Sequence, residues 1–378
     1  MEVGAHTGLL RHFRELEDPR VDRTKRHSLN DILTIAICAV ICGADGWAQV
    51  ELFGQSKLKW FRTFLDLPHG IPSHDTFGRV FARLDPRQFE QGFLNWINAL
   101  ADKPLGRLVA IDGKTLRGSF DRVAERSAIH MVSAWCEHNQ TVLGQLVTNA
   151  KSNEITAIPQ LLELLDLDGA VVTTDAMGCQ KAIAEKAIAC GADYVLQVKG
   201  NQPKLEKELQ LLFDECRRQD AHAVAHDYVE TVDKGHGRLE TRRCWMTTDV
   251  AWLPDGAAWA NLGSFACVES TRQVNGECST DRRYYISSVE KCDAERMLAR
   301  VRSHWGVENR LHWRLDVVFD EDRRRLRTGH AAENFSRLSR IALNLLKAEA
   351  TRKAGIKSKR LCCGWDHDYL LKILSQGN

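Results

Sequence analysis

Residues 301–327 read VRSHWGVENRLHWRLDVVFDEDRRRLR and set an acidic residue into a helical pattern of apolar residues. Counted from Glu308, the residues Leu311, Leu315 and Phe319 fall on one face of a helix. These apolar residues predict that the face is turned inward. An ionised glutamate on an inward face is costly to desolvate unless a cation, a metal ion or a proton compensates it. The pattern therefore predicts that Glu308 belongs to a site with a compensating partner.

Two other segments end in aspartate after a run of β-branched and apolar residues. Residues 107–112 read RLVAID and residues 169–175 read GAVVTTD, which is typical of buried strands. Asp112 and Asp175 would then stand at two strand ends. Together with Glu308 they would form a pocket for divalent metal, because hard cations such as Mg²⁺ prefer carboxylate oxygens. A turn or helix-capping role is the alternative for each aspartate taken alone.

Length, charge and cysteine content limit the possible classes of protein. The 378 residues leave room for two or three domains. The 52 basic and 50 acidic residues give a net charge of +2, so any affinity for DNA must come from local patches. The twelve cysteines include no CxxC pair, which disfavours a zinc cluster and predicts reduced thiols.

The distribution of apolar residues predicts a cytoplasmic protein with no membrane partner. The N-terminal residues include charged side chains where a signal peptide would have an apolar run. The longest apolar stretch, residues 32–42, is too short to span a bilayer.

The chain divides by pattern into three parts. Residues 1–104 show helical periodicity and predict a helical N-terminal domain, in which arginines off the apolar face could bind DNA or simply face solvent. Residues 105–348 alternate strands and helices, which predicts a mixed sheet with helices on its faces. Within this core, residues 225–290 favour short strands and predict a β-rich insertion. Residues 349–378 are rich in lysine and arginine and are interpreted as a basic C-terminal tail.

Five phrases of this sequence resemble a known family when they are taken in order. They are AIDGKTLRG (110–118), TDAM (174–177), VKGNQ (198–202), HGRLETR (236–242) and SHWGVENRLHWRLD (303–316). Together they resemble the DDE transposases of bacterial insertion sequences, in the branch of the H-repeat-associated proteins. The similarity covers nearly the whole chain, including the helical N-terminal part.

The resemblance implies both a fold and an activity. The implied fold is an RNase H-like mixed sheet flanked by helices, interrupted by the β-rich insertion and preceded by the helical domain. The implied activity is hydrolysis of phosphodiester bonds at the ends of an insertion sequence, followed by strand transfer of the 3′-hydroxyls into target DNA. Asp112, Asp175 and Glu308 are implied as catalytic ligands of Mg²⁺ or Mn²⁺. The implied partners are double-stranded DNA and a second copy of the chain in a DNA-bound homodimer, in the bacterial nucleoid.

One motif of the family is incomplete here. The broader group carries Tyr, Arg, Glu and Lys around its glutamate, and the corresponding positions hold Val301, His304, Glu308 and Leu315. Other cations are therefore expected to contact the DNA backbone. The candidates are Lys114, Arg117, Lys199, His236, Arg238, Arg242, Arg302, His304 and Arg310.

Several alternatives remain open at this point. Asp316 shares the predicted helix face with Glu308 and is a rival third ligand. His304 and His312, four residues before and after Glu308, could form a helix-borne zinc or iron site with it. At the level of function, the chain could be a DNA-binding relic that no longer catalyses. It could also be a general endonuclease built on the same core.

Overall fold

A computed structural model describes residues 8–100, 105–121, 127–148, 153–217, 224–235, 237–253 and 256–376. The strands are β1 (Leu108–Leu116), β2 (Ile129–Cys136), β3 (Thr141–Thr148), β4 (Val171–Thr174), β5 (Asp193–Val198), β6 (Asp227–Gly235), β7 (Arg238–Thr247), β8 (Ser264–Val274) and β9 (Glu277–Ser287). They form one nine-stranded mixed sheet within the described ranges, in the order β3-β2-β1-β4-β5-β9-β8-β7-β6. The predicted fold class, a mixed sheet flanked by helices after a helical N-terminal part, is confirmed.

The helices cover both faces of the sheet and build the N-terminal part. They are α1 (Leu29–Ile41), α2 (Trp47–Ser56), α3 (Leu58–Phe61), α4 (His74–Arg83), α5 (Pro86–Ala99), α6 (Glu154–Leu164), α7 (Lys181–Ala189), α8 (Pro203–Cys216), α9 (Ala294–His304), α10 (Trp313–Val317), α11 (Ala331–Ala348), α12 (Ile356–Trp365) and α13 (His367–Ser375). A π-helical segment, Val307–His312, leads directly into α10. None of the described helices has the length and apolar character needed to cross a lipid bilayer.

Strand β1 is longer than the sequence pattern indicates. The prediction that it ends at Asp112 before a glycine turn is wrong, because Gly113 pairs with Val132 and the ladder to β2 continues to Leu116. The parallel ladder from β1 to β4 ends one residue before Asp112. A Cβ atom at Gly113 would lie 2.3 Å from the Glu154 carboxylate. The glycine is therefore needed for close approach of a side chain to the strand and not for a turn.

The β-rich segment extends the core sheet and does not form a separate unit. Strand β9 pairs antiparallel with β5, with Leu196 opposite Ile286. Strands β8, β7 and β6 follow outward by antiparallel pairing. Their ends near the core are buried, whereas the distal parts of β8 and β9 and most of β6 are exposed. The insertion thus projects from the sheet as a charged, solvent-exposed ribbon that remains in register with the core strands.

The segment after residue 348 is folded, which corrects its interpretation as a basic tail. It forms α12 and α13, and Tyr369, Leu370 and Ile373 of α13 are buried. These residues share one apolar core with α1, α4 and α11, so the N-terminal and C-terminal helices pack as one group. The apolar residues recur at helical spacing in this short segment, and the lysines and arginines around them obscure the pattern.

A buried ion pair joins the N-terminal helices to the sheet and to α11. Glu90 of α5 and Arg337 of α11 are 3% and 2% exposed. Glu90 Oε2 accepts a hydrogen bond from Arg337 Nε at 2.6 Å, and its Oε1 accepts one from the backbone amide of Gln145 in β3 at 2.8 Å. Arg337 also contacts Glu333 at 2.7 Å. One carboxylate therefore connects three elements that are far apart in sequence.

We expect Glu90→Gln to destabilise the protein by about 3 kcal/mol, because it leaves Arg337 buried with only Glu333 to compensate its charge. Urea denaturation measures the loss. The matched control is Glu185→Gln on α7, where the side chain is exposed and the change should stay within about 0.5 kcal/mol. Equal midpoints for the two variants would contradict the role given to the buried pair.

Candidate metal centre

Asp112 and Asp175 occupy matching positions on adjacent strands. The last parallel pair joins Ile111 to Thr174, so each aspartate is the next residue at the same edge of the sheet. Asp175 Oδ1 accepts hydrogen bonds from the amides of Met177 and Gly178 at 3.0 and 3.3 Å. The side chain thus caps the turn that follows β4. Capping fixes one oxygen and the orientation of the carboxylate, and it is compatible with metal binding through the other oxygen.

Glu308 lies beside the buried face of its helix and not on it, which corrects the prediction. The buried residues here are Val307, Leu311, Leu315 and Phe319, whereas Glu308 is exposed. The buried stripe therefore begins one position before the glutamate, in the π-helical segment Val307–His312. Single π turns inside α-helices are common at functional sites because they re-aim a side chain. Here the π turn accompanies a glutamate aimed along the flank of the helix.

The three acids are close enough to affect one another electrostatically. Burial, and after it the nearby carboxylates of Asp175, Glu154 and Glu308, together raise the pKa of Asp112 to about 7. The pKa of Glu308 is also raised, first by partial desolvation and then by Asp175, while Arg283 opposes the rise. Neighbouring carboxylates raise one another's pKa values because each negative charge disfavours the charged form of the next. The structure therefore brings the predicted residues together.

The chemistry of this group fits a hard divalent cation. Oxygen ligands from carboxylates suit Mg²⁺ and Mn²⁺. Among the described residues, however, no three His, Cys, Asp or Glu side chains are arranged as a formed metal site. The fit consequently rests on the type of donor and the uncompensated charge, since Asp112 and Glu308 are both acids with raised pKa values.

The two histidines near Glu308 do not flank it as a zinc site would require. His304 Nδ1 lies 2.9 Å from Thr173 Oγ1, and His312 Nδ1 lies 3.4 Å from Asp112 Oδ2. Burial lowers the pKa of His304 to about 4 and that of His312 to about 3. Both imidazoles are therefore neutral at neutral pH. A neutral His304 does not offer the positive charge that a phosphate contact needs, so its expected role at the DNA backbone lacks support.

Lys114 is a buried structural cation, which contradicts the prediction that it reaches DNA. Its side chain is 8% exposed, and Nζ lies 2.7 Å from both Asp316 Oδ1 and Asp322 Oδ1. Glu321 Oε2 lies 3.7 Å away. Lys114 thus neutralises the acids at the end of the helix that carries Glu308. The same contact occupies Asp316, the rival third ligand.

The other predicted DNA contacts differ in how free they are. Arg117 has a side chain that is 82% exposed, and Lys199 is exposed at the end of β5. Arg310 pairs with Glu137 at the end of β2. His236 lies outside the described residues. Arg117 and Lys199 are therefore the candidates that a phosphate could reach with the least rearrangement.

Arg238 and Arg242 on β7 and Arg302 on α9 form ion pairs with acidic residues of the outer strands. Arg242 contacts Asp233 at 2.6 Å and Glu240 at 2.7 Å. Arg302 contacts the same Asp233 at 3.0 Å, and Arg238 lies 3.7 Å from Glu240. The pair of Arg302 with Asp233 is exposed on both sides and can exchange for phosphate at low energetic cost, whereas the pair of Arg242 with Glu240 is part-buried. Their expected role in DNA binding is therefore still a proposal.

Sequence reasoning missed Arg283 and the buried pair of His130 with Glu154. Arg283 stands on β9, and its guanidinium lies 5.1 Å from the centre of the Trp305 ring beside Glu308. His130 Nε2 and Glu154 Oε1 are 2.5 Å apart under Gly113. Arg283 reaches the site because β9 pairs with β5 in the sheet. No local sequence motif predicts this position. For Glu154, the sequence did offer a signal, because this glutamate stands at the first position of the helical pattern that forms α6.

We expect Lys114→Met to lower the free energy of unfolding by about 3 kcal/mol, because it removes the cation from part-buried Asp316 and Asp322 and leaves buried Glu321 with Arg340 as its remaining ion-pair partner. Chemical denaturation measures this loss. Arg117→Gln, three residues along the chain and exposed, is the control and should change stability by no more than about 0.5 kcal/mol. A Lys114→Met protein of normal stability with weakened DNA binding would restore the original prediction.

His304 should make the protein sensitive to acid. Its folded pKa of about 4 lies below the ordinary value of 6.5, so between these pH values the unfolded chain binds a proton that the folded chain does not. Stability should therefore fall as pH drops from 6.5 to 4, with a share from His304 of roughly 3 kcal/mol. Denaturation midpoints across this window should flatten in His304→Gln. The same substitution at the exposed His138 should leave the wild-type slope, and equal slopes for both variants would refute the assignment.

Comparison with known proteins relates this geometry to a family. Residues 103–345 match the family described as "Transposase DDE domain", and residues 10–97 match the family described as "DDE_Tnp_1-associated". The "H repeat-associated putative transposase YhhI" of Escherichia coli (strain K12) is 41% identical over 376 residues, which cover 97% of each chain. The "Putative transposase YncI" of Escherichia coli O157:H7 is 41% identical over 371 residues, covering 97% of this chain and 94% of that protein.

The two family matches together span the N-terminal helices and the sheet that carries the three acids. The similarity to these relatives extends over nearly the whole chain. The protein therefore belongs to the DDE transposase family.

Proposed function

We propose that this protein is a DNA transposase that cuts phosphodiester bonds at the ends of an insertion sequence and transfers the 3′-hydroxyls into target DNA. The observation that carries the proposal is the placement of Asp112 and Asp175 at the same edge of adjacent strands, with Glu308 close enough to act on Asp112. In a member of this family, such a group is best explained as the site of the reaction.

Each of the three acids would hold Mg²⁺ or Mn²⁺ from a differently fixed position. Asp112 projects from the middle of a strand, and Asp175 is oriented by its two backbone hydrogen bonds. Glu308 comes from the helix that Lys114 ties to β1. Bound divalent cations supply polarisation of the attacking oxygen and stabilisation of the leaving oxygen. A carboxylate binds a cation in its deprotonated form, so metal binding at Asp112 would be favoured as pH rises.

The partner is double-stranded DNA, both at the ends of the element and at the target. Arg117 and Lys199 are exposed near the ends of β1 and β5 and would contact backbone phosphates. Arg283 lies beside Glu308 and would contact the phosphate that reacts or its neighbour. The need to bring two ends together implies that two copies of the chain act as a dimer on DNA.

The test uses purified protein, Mg²⁺ and a supercoiled plasmid that carries the gene with its flanking DNA. The wild-type protein should produce breaks at two flanking positions. Asp112→Asn, Asp175→Asn and Glu308→Gln should each reduce cleavage by at least roughly 100-fold, because even outer residues of metal sites cost 10- to 100-fold. Mapping of the broken ends by sequencing measures the outcome.

Asp316→Asn is the matched control, since it alters an acid of the same helix that Lys114 already neutralises. It should retain cleavage. Loss of cleavage in Asp316→Asn with retention in Glu308→Gln would reassign the third ligand. Binding of DNA without breaks would support the relic interpretation, and scattered nicking that ignores the flanks would support a general endonuclease.

A further inference from the structure

A basic cavity opens on the side of α10 that faces away from Glu308. The cavity has a volume of about 390 Å³ and lies between the turn after β2, α10, the end of α11 and the start of α12. Residues 308 and 310 are two positions apart and do not share a helix face. Glu308 interacts with Asp175 and Arg283, whereas Arg310 pairs with Glu137 beside the cavity. One helix thus separates the acidic site from this cavity.

Two cations line the cavity without a neutralising acid. No carboxylate lies within ion-pair distance of Arg314 or Lys347 in the part of the chain that the structure describes. Arg314 Nη1 donates to the Arg310 carbonyl at 3.2 Å, and Lys347 Nζ donates to Gln140 Oε1. Burial, and after it the positive charges of Arg314, Arg310 and Lys359, together lower the pKa of Lys347 to about 8. The side chains therefore present a concentrated positive charge that would attract an anion.

Glu137 acts on both cations, but it is paired with Arg310, and the other neighbouring charged groups do not cancel the field. Lys359 is satisfied by the Leu346 carbonyl at 3.0 Å and by Glu349 at 3.4 Å. Glu349 is itself bound by Tyr369 Oη at 2.9 Å and is 1% exposed. The one acid of the cavity wall is thus fully occupied, and Arg314 and Lys347 remain as the available donors.

We propose that Arg314 and Lys347 form a phosphate-binding site. The planar guanidinium can donate two parallel hydrogen bonds to phosphate oxygens, and the ammonium adds a point charge. The phosphate can come from the backbone of DNA or from a small phosphorylated molecule. No Phe, Tyr or Trp lines the cavity among the described residues, so a nucleotide base could stack only on His138 or on the guanidinium that would hold the phosphate. The poor stacking surface favours a backbone phosphate of DNA over a nucleotide. This choice rests on the proposed function.

The position of the helix supports the same choice. Trp313 and Val317, each 56% exposed, form the outer surface between the two flanks. A helix with its side chains is about 10–12 Å across, and the major groove of B-DNA is about 12 Å wide. A duplex that places one strand on the Glu308 flank therefore places the opposite strand near Arg314 and Lys347. In this arrangement the cavity holds the duplex across the groove from the reacting phosphate.

The test is acetylation of lysines by acetic anhydride at pH 8, followed by mass spectrometry of the full-length protein. Lys347 should react faster than exposed lysines because a larger fraction is uncharged. A duplex of the flanking DNA at ten times its Kd should slow acetylation of Lys347 roughly tenfold. In Arg314→Gln this protection should be lost. Inorganic phosphate, as a second probe, should protect Lys347 only at far higher concentration.

Binding of the duplex as a function of salt gives an independent measurement. The slope of log affinity against log salt should fall by about 0.9 for the lost phosphate contact in Lys347→Gln, and the glutamine can keep the hydrogen bond to Gln140. Lys207→Gln, on the exposed side of α8, is the control and should keep the wild-type slope. Thermal melting verifies that the variants fold.

The outcomes separate this inference from the proposed function. If the duplex binds but neither protects Lys347 nor shows a changed slope in Lys347→Gln, the site is refuted while the transposase proposal stands. If the duplex does not bind and inorganic phosphate protects Lys347 in an Arg314-dependent way, the site is for a small phosphate and the DNA function fails. If neither probe protects Lys347, there is no phosphate site.

Discussion

The sheet edge that carries Asp112 and Asp175 is held against the helix of Glu308 by one ammonium group, that of Lys114, which is buried among three carboxylates. The lysine belongs to β1, two residues after Asp112, and two of its partners lie 2.7 Å away on the chain that follows Glu308. Separation of these charges would expose each to a low-dielectric interior without compensation. The helix of Glu308 can therefore neither slide nor rotate freely over β1. This ion cluster sets the distance between a strand acid and a helix acid that are almost 200 residues apart in the chain.

A second group of buried charges extends this constraint to the whole fold. Glu321 contacts Lys114 and, at 2.8 Å, Arg340 of α11. The same helix holds Arg337, whose partner Glu90 comes from the N-terminal helices. Buried ion pairs are weak evidence for net stability, but each is costly to break from one side. They specify one docking of the N-terminal helices, α11 and the sheet. The N-terminal helices consequently have a fixed position relative to the acids.

Local patterns in the sequence were sufficient for the elements but not for their environment. The apolar pattern over residues 129–136 and 141–147, with the polar turn between them, predicts a hairpin, and β2 and β3 agree with it to within one residue because these signals are local. The burial of Lys114 could not be predicted, since its partners lie some 200 residues away. Glu308 lies beside the buried face because residues 307–312 form a π-helix. Spacing rules that assume 3.6 residues per turn cannot predict this position. The three acids could be identified from their residue type and order in the sequence. Their closeness in space could not, because it depends on how the strands pair in the sheet.

The charge state of the acids indicates which of them a metal ion can use. Asp316 and Glu308 lie on the same short helix, but Asp316 is held by Lys114 at 2.7 Å. To bind a cation through the same oxygen, Asp316 would have to give up that partner and leave Lys114 with Asp322 and Glu321 alone. Among the described residues, Arg283 is the cation that acts on Glu308, and it is part-exposed and paired with Asp281 at 2.8 Å. No lysine or arginine lies within ion-pair distance of Asp112 among the described residues. The His312 ring, 3.4 Å away, is neutral. The negative charge left available at this edge is therefore that of Asp112, Asp175 and Glu308, and the lysine that makes Asp316 unavailable also positions the helix that presents Glu308.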